Sequence, residues 1–518
     1  MIAKLAVRSR KSSVKRILLL TVALVGTLLT AALSVWAAIY AKPLLKARTI
    51  ALLSAKFHAD VQLEDFDVSI FPRIHIQGRN LSLRQEGRDD VPPLIQIDEF
   101  DAVGGLRAFI GKSWKLDRVD LTGLKITIPP LMRRKPPRRT SRVRDIPIFV
   151  RQVSASNGMV EILSPHGPSH LFIVRNLELY SVGLHQAAAF TTELVNPTPL
   201  GFVHAAGSFG PWNTEEPGLT PLLSHYHLTN VDLRAIKGIA GILSSQGQFE
   251  GVLNKMEVEG EADTPDFRVI NGGQAVSLHT TFSATVEGTN GDTILHRLRG
   301  QFLHTTLLAS GEVVRKPEAR GRSVVLNLRM DAGRLEDLLQ LGVKSNPPAM
   351  TGEVKLAAKF NLPPGRTNLV DRLKLNGIFG VSRAAFTSPG MREKVATLSR
   401  KGLGKPKDAD AGSAISDLKG RFQLDNGLMT FRDLHFQVEG VQVQVDGTYG
   451  LTNEILNFHG KLRLNAKLSQ TTTGFRSVVL KPFDGFFRKN GMTEIPIKIT
   501  GTRISPAFGL HIRNRDGR

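Results

Sequence analysis

Between Ile17 and Tyr40 lie 24 residues without one charged side chain. At 1.5 Å of rise per residue, a helix over this run reaches roughly 36 Å, enough for a hydrocarbon core of about 30 Å. Lys4, Arg8, Arg10, Lys11, Lys15 and Arg16 precede it, with no acidic residue among them. Basic residues beside a span stay on the cytoplasmic side, so the chain after Tyr40 is expected across the membrane. Ile17, Leu20, Leu24, Leu28, Trp36 and Tyr40 mark the anchor, the two aromatics suiting a headgroup interface. A cleaved signal peptide competes with this reading. Its apolar region normally runs ~7–15 residues, shorter than the stretch here, while small residues around Val35 to Ala38 offer a cleavage site.

The remaining chain is long enough for several domains or one repetitive one. Its hydrophobic content of 41% supports a buried core. The absence of cysteine excludes disulfides and thiolate chemistry. Formal net charge is +22, and setting aside the six bases before the span leaves +16. By sign alone such a surface suits nucleic acid, anionic lipid or an acidic polymer, or serves only solubility. Across a membrane the expected acidic partner is a lipid headgroup rather than nucleic acid.

After Ala41 a short helix is expected through Phe57, and then the period changes. Phe66, Val68 and Ile70 alternate with polar residues, as do Ile74 and Ile76, and Leu124, Ile126 and Ile128. The same two-residue rhythm returns at Val324 to Met330, Val354 to Phe360, Val441 to Val445 and Ile495 to Ile499. Such alternation marks strands with one dry and one wet face. Asn157-Gly158, Asn271-Gly272, Asn290-Gly291 and Asn426-Gly427 read as hairpin joins, because tight hairpin turns need positive φ. The bulk is therefore expected to be antiparallel β. Asp232 to Leu243 and Asp331 to Leu341 read as short amphipathic helices capped by aspartate, and a third helix is expected from Arg392 to Arg400.

The stretch Arg133 to Arg144 breaks this grammar, with seven basic residues in twelve and paired prolines. It reads either as a solvated loop or as a phosphate headgroup contact through Arg133, Arg134, Lys135, Arg138 and Arg139. It is also expected to divide an N-terminal module from the rest of the chain.

Signals for catalysis fail on inspection. Gly105 to Ser113 approaches a phosphate-binding loop, but five residues separate Gly105 from Gly111 where that loop needs four. His225 and His227 share one face of a strand, as two metal ligands can, yet no third ligand stands nearby, so solvated or hydrogen-bonded histidines are the expectation. His166 and His170 are read the same way. No nucleophile elbow, zinc-binding helix motif or dinucleotide turn occurs. No enzyme activity, metal or cofactor is expected.

Two regions resemble the AsmA family, the group that includes the TamB-related envelope proteins of bridge type. The first is residues 61–83, VQLEDFDVSIFPRIHIQGRNLSL, where a strand, a Phe-Pro turn and an N-L-x-L strand succeed one another. The second is GRFQLDNGLMTF at 420–431, continuing through VDGTYGL at 445–451 and Lys481-Pro-Phe-Asp to IPIKITGT at 495–502. The resemblance implies a long curled β-sheet groove, dry inside, rooted in the inner membrane as a single-pass protein with its bulk periplasmic. It also implies a part in moving phospholipid or maintaining the outer membrane. Candidate groove-lining residues are Val68, Ile70, Ile126, Leu326, Leu356, Val441, Val443 and Val445.

The alternation itself leaves an open groove, a sandwich and a filled barrel all standing. The organisation expected is a tail to residue 16, the anchor over 17–40, an N-terminal module over 41–130, the basic loop over 131–145, middle repeats over 146–345, a C-terminal domain over 346–512 and a basic tail over 513–518. About 25–30 strands at ~4.8 Å spacing would extend roughly 120–145 Å, so an envelope partner or homo-oligomer is expected too. The alternative function is an assembly or scaffold factor for outer-membrane proteins, contacting clients through strand edges.

Overall fold

The computed structural model describes residues 43–510 apart from internal stretches, of which 106–113, 130–147, 408–415 and 473–480 are the longest. The expected anchor, Ile70 and the basic residues Arg133 to Arg139 lie outside the described residues. Among the described residues no helix is long and apolar enough to cross a membrane. The protein is mainly β, and its chain divides into two compact units.

Unit 1 comprises Met1–Leu163, Leu171–Thr192 and Ser208–Thr220. Residues 43–55 form helix α1, as expected from the sequence. Seven strands follow: β1 (Ala59–Gln62), β2 (Asp65–Ser69), β3 (Ile74–Gln85), β4 (Ile95–Gly104), β5 (Trp114–Thr122), β6 (Lys125–Ile128) and β7 (Ile148–Ile162). Strand β3 pairs first with β2 and then with β1, and Asn80, at φ 52°, stands where the neighbour changes. Asn157, at φ 53°, serves β7 the same way. It is therefore a break inside a strand, not the expected hairpin, because β7 leaves β5 there and takes up β6.

Both β5–β7 and β6–β7 are parallel, against the antiparallel expectation. A parallel pair needs a crossover connection, and β6 and β7 are such neighbours in one sheet. The core gathers Leu81, Leu83, Ile97, Leu124 and Ala155, with Ile50 and Leu53 of α1 packed against it.

Strands β8 (His170–Gly183), β9 (Ala188–Pro197) and β10 (Leu200–Phe209) contribute residues to both units. Unit 2 then runs through β11 (Pro221–Asp232), β12 (Ile239–Ala240), β13 (Ile242–Val252), β14 (Lys255–Val269), β15 (Val276–Glu287), β16 (Asp292–Phe302), β17 (Thr305–Val314) and β18 (Ser323–Arg334). It continues with β19 (Met350–Leu362), β20 (Lys374–Phe386), β21 (Ser416–Asp425), β22 (Leu428–Val438), β23 (Val441–Gly450), β24 (Ile455–Leu464), β25 (Arg488–Lys489), β26 (Met492–Thr502) and β27 (Pro506–Leu510). Apart from the short β12 and β25, each strand from β11 pairs antiparallel with the next. Asn426-Gly427 joins β21 to β22 as expected, with φ of 49° and 71°, the left-handed pair that a two-residue turn of type I′ requires.

Helix α2 (Leu335–Gly342) follows β18, and α3 (Pro389–Gly402) follows β20. A single 3-10 turn, Leu233–Ala235, replaces the helix expected from Asp232 to Leu243. Asp232 does cap that turn, its carboxylate accepting the Arg234 N–H, but strand pairing claims the residues on either side. Likewise β18 extends through Arg334 and defers α2 past the expected start at Asp331. The third expected helix is present and longer than its apolar pattern showed, with Pro389 in its first turn.

Candidate functional site

A meander puts alternate connections on opposite edges of its sheet. In unit 2, α2, α3 and the short helix Asp484–Phe487 all follow even-numbered strands and so share one edge. There the inner-face side chains are fully covered. Met330, Val354, Val381 and Ala384 lie under Leu335 and Leu338 of α2, while Val438, Val441 and Leu464 lie under Val395 and Leu398 of α3.

Asp337 of α2 is 3% exposed and accepts the His304 N–H at 2.9 Å and the Thr305 hydroxyl at 2.8 Å. Ser399 of α3 donates to Glu439 O at 2.8 Å, and Ala466 N–H donates to Gly402 O at 2.8 Å. A Cβ at Gly402 would stand 2.4 Å from Val441 Cγ2, so glycine permits this close approach. The helices are thus fastened to the sheet edge, not laid loosely over it.

Away from that edge much of the inner face is half-buried, although Leu424, Val445 and Phe458 are buried. Leu326 and Leu328 of β18, Leu356, Ala358 and Phe360 of β19, and Phe379 of β20 all keep solvent exposure, while Asn327, Arg329, Lys355, Ala357, Lys359 and Ile378 on the other face are exposed. A sandwich core would bury such residues along the whole strand. The registers bring them into continuous rows. Leu356 faces Phe379, Ala358 faces Gly377, Phe422 faces Phe431, and Val443 faces both Phe436 and Leu462.

Aromatic rings run across these rows, with centroids 6.1 Å apart for Phe379–Phe422, 6.3 Å for Phe379–Phe431 and 5.9 Å for Phe431–Phe458. Glycine opposite phenylalanine makes the room. A Cβ at Gly447 would meet Phe458 Cδ1 at 2.6 Å, and Gly420 faces Phe379. Ring pairs of this kind add ~0.5–1.5 kcal/mol each beyond their buried area.

Hydroxyls on the same face are turned to the backbone. Ser224 donates to Ala206 O at 3.0 Å, Ser245 to Glu261 O at 2.8 Å and Thr280 to Ala262 O at 3.2 Å. Burial pushes the Tyr226 phenol up, against a smaller lowering from Ser245, so it stays neutral. The surface therefore offers hydrocarbon and aromatic faces with no charge. The opposite face carries charged and hydrogen-bonding side chains beside the exposed Ile294, Leu308 and Ile378: Asp263 bonds His279 at 2.7 Å, and Thr285 bonds both His296 and Glu257.

The sequence-derived groove residues divide three ways. Leu326, Leu356 and Val443 lie on the half-open face; Val441, 1% exposed, lies beneath α3, and Val445, 5% exposed, is buried farther along the same strand. Val68 packs beside Ile74 and Ile76, and Ile126 packs into the main core, both in unit 1. The aromatic members Phe379, Phe422, Phe431 and Phe458 were missed. Their signal was phenylalanine and glycine sharing one parity, as in Gly377 with Phe379 and Gly420 with Phe422.

His225 and His227 point to solvent on the polar face, opposite Gln248 and Gln246. Among the described residues no cluster of acidic residues and histidines is placed to hold a metal ion. No protein-family model, curated protein or solved structure matches this chain.

His170 departs from the solvated or hydrogen-bonded reading at Nε2. Its Nε2 is buried, and no described residue bonds it. Burial first, then the charges of Arg315 and Arg322, push the imidazole below its ordinary 6.5. The unfolded chain therefore binds a proton there more readily than the folded one. The associated stability is complete above pH 6.5 and is lost as pH falls through the depressed folded value. Melting curves taken from neutral pH downward should show a steeper loss for the native chain than for His170→Gln. Parallel curves would remove the assignment.

Proposed function

We propose that the half-open inner face of unit 2 holds lipid acyl chains, and that the protein assists phospholipid transport or outer-membrane maintenance from an inner-membrane anchor. One observation carries the reading: a charge-free row of Leu, Val, Phe and Gly continues from β18 to β26, and much of it is half-exposed among the described residues. Leaving such a surface in water costs ~25 cal/mol per Å², and an acyl chain removes that cost at ~0.8 kcal/mol per buried methylene. The headgroup would stay outside the row, in water. The uncharged run from Ile17 to Tyr40 and the resemblance to the AsmA family support the location. The reading contains no catalytic step.

A photoactivatable residue at Val443, on the half-open row, should crosslink to phospholipid in cells. The same probe at Gln444, one position along on a strand whose side chains alternate, should not. Crosslinks from Val443 chiefly to protein would favour the assembly-factor alternative instead.

A further inference from the structure

The helical edge of unit 2 carries a second feature, distinct from the apolar row beside it. Helix α3 and its continuation, the turn after β24, and the segment around Asp484–Phe487 are joined by hydrogen bonds. Ala466 N–H donates to Gly402 O at 2.8 Å, and Asp484 accepts from Ser469 N and Oγ at 2.8 and 2.7 Å. On the surface so formed, Lys401, Lys405, Lys407, Lys467, Arg488 and Lys489 are all exposed.

The acids there are mostly engaged. Glu393 is held by Arg400 at 2.6 Å, Asp484 by Ser469, and Glu439 is the exposed carboxylate on the neighbouring hairpin. Among the described residues none of the six bases forms a direct ion pair, and Lys467 and Arg488 act on Asp484 only at longer range. Concentrated unpaired charge of one sign is costly to keep together unless an opposite surface meets it.

We infer that this basic helical edge docks on an anionic phospholipid bilayer. Three observations favour a bilayer over another polyanion. The charge borders the open apolar row, since Val395 and Leu398 on the underside of α3 pack on the row's covered end. The sequence KPFDGFFRK at 481–489 interleaves three phenylalanines with three bases, the composition of an interfacial segment. The bases also lie on several connected segments, making a broad patch suited to a surface of headgroups. The inference goes beyond the acyl-chain reading, because a docking surface does not require a filled groove.

The test places the full chain in immobilised phosphatidylcholine nanodiscs, so that the apolar N-terminal segment is already satisfied. Capture of vesicles is then measured. Vesicles containing phosphatidylglycerol should be captured, and pure phosphatidylcholine vesicles should not. Changing Lys401, Lys405, Lys467 and Lys489 to Glu should lower capture on the order of 100-fold, since each base near an anionic surface contributes several-fold. The four Gln replacements should lower it less.

A variant with Arg133, Arg134, Lys135, Arg138 and Arg139 changed to Gln should retain more capture than the four-lysine variants. Equal capture by the Glu variant, with an unchanged melting curve, would overturn the inference. So would native capture of pure phosphatidylcholine vesicles, or displacement of the vesicles by a single-stranded oligonucleotide at equal charge concentration. Lipid content measured on the same samples separates this outcome from failure of the acyl-chain reading.

Discussion

Replacing Asp337 with Ala should cost unit 2 about 3 kcal/mol of stability, read as a shift in the urea midpoint of its unfolding. The carboxylate is buried and accepts two hydrogen bonds, from His304 N–H and from the Thr305 hydroxyl. Thr305 in turn accepts the Arg334 N–H at 2.9 Å, so one side chain ties α2 to the turn between β16 and β17. Alanine would leave the buried Thr305 hydroxyl and the part-buried His304 N–H without this acceptor, and that loss exceeds the worth of an ordinary hydrogen bond. Asp337→Asn keeps an acceptor oxygen and should cost about 1 kcal/mol, while Thr305→Val should fall between the two. An Asp337→Ala midpoint equal to the native one would show that α2 is not fastened through this residue.

The second large effect is on lipid. Ala358 and Val443 sit on the half-exposed row, opposite Gly377 and Leu462 respectively. An aspartate at either position keeps contact with water, so the sheet should fold with only modest destabilisation. The same carboxylate set against an acyl chain would have to lose that water, at a cost of several kcal/mol. Each substitution should therefore lower bound phospholipid roughly tenfold or more, and the pair should abolish it. Val441→Asp makes the contrast: Val441 is 1% exposed beneath α3, so a charge there should unfold the edge itself.

These contrasts also show what was legible in the sequence. The stripe from Val324 to Met330 and its counterparts at Val354, Val441 and Ile495 gave the strands, because a one-sided sheet writes its faces into alternate residues. The turn at Asn426-Gly427 was readable because its geometry needs a left-handed pair. Asn157-Gly158 carries the same dipeptide, but its cause is a change of neighbouring strand, and that depends on residues far along the chain. The helix expected at Asp232 failed for a related reason, since pairing with β13 and β14 overrode a local amphipathic pattern.

The covered and open parts of the face were not separable from sequence. Val441 and Val443 have the same chemistry and parity, and only the seating of α3 over one end distinguishes them. The aromatic row depends on register between strands, which single-strand alternation does not specify.

The most direct test of the central claim is native mass spectrometry of the full chain from mild detergent, with lipid extraction, beside the Ala358→Asp/Val443→Asp variant. Both carry the same N-terminal segment, so lipid held by that segment cancels in the comparison. The account predicts several phospholipids on the native chain and fewer on the variant by the number the open row holds. Equal lipid content in two equally folded proteins would contradict it.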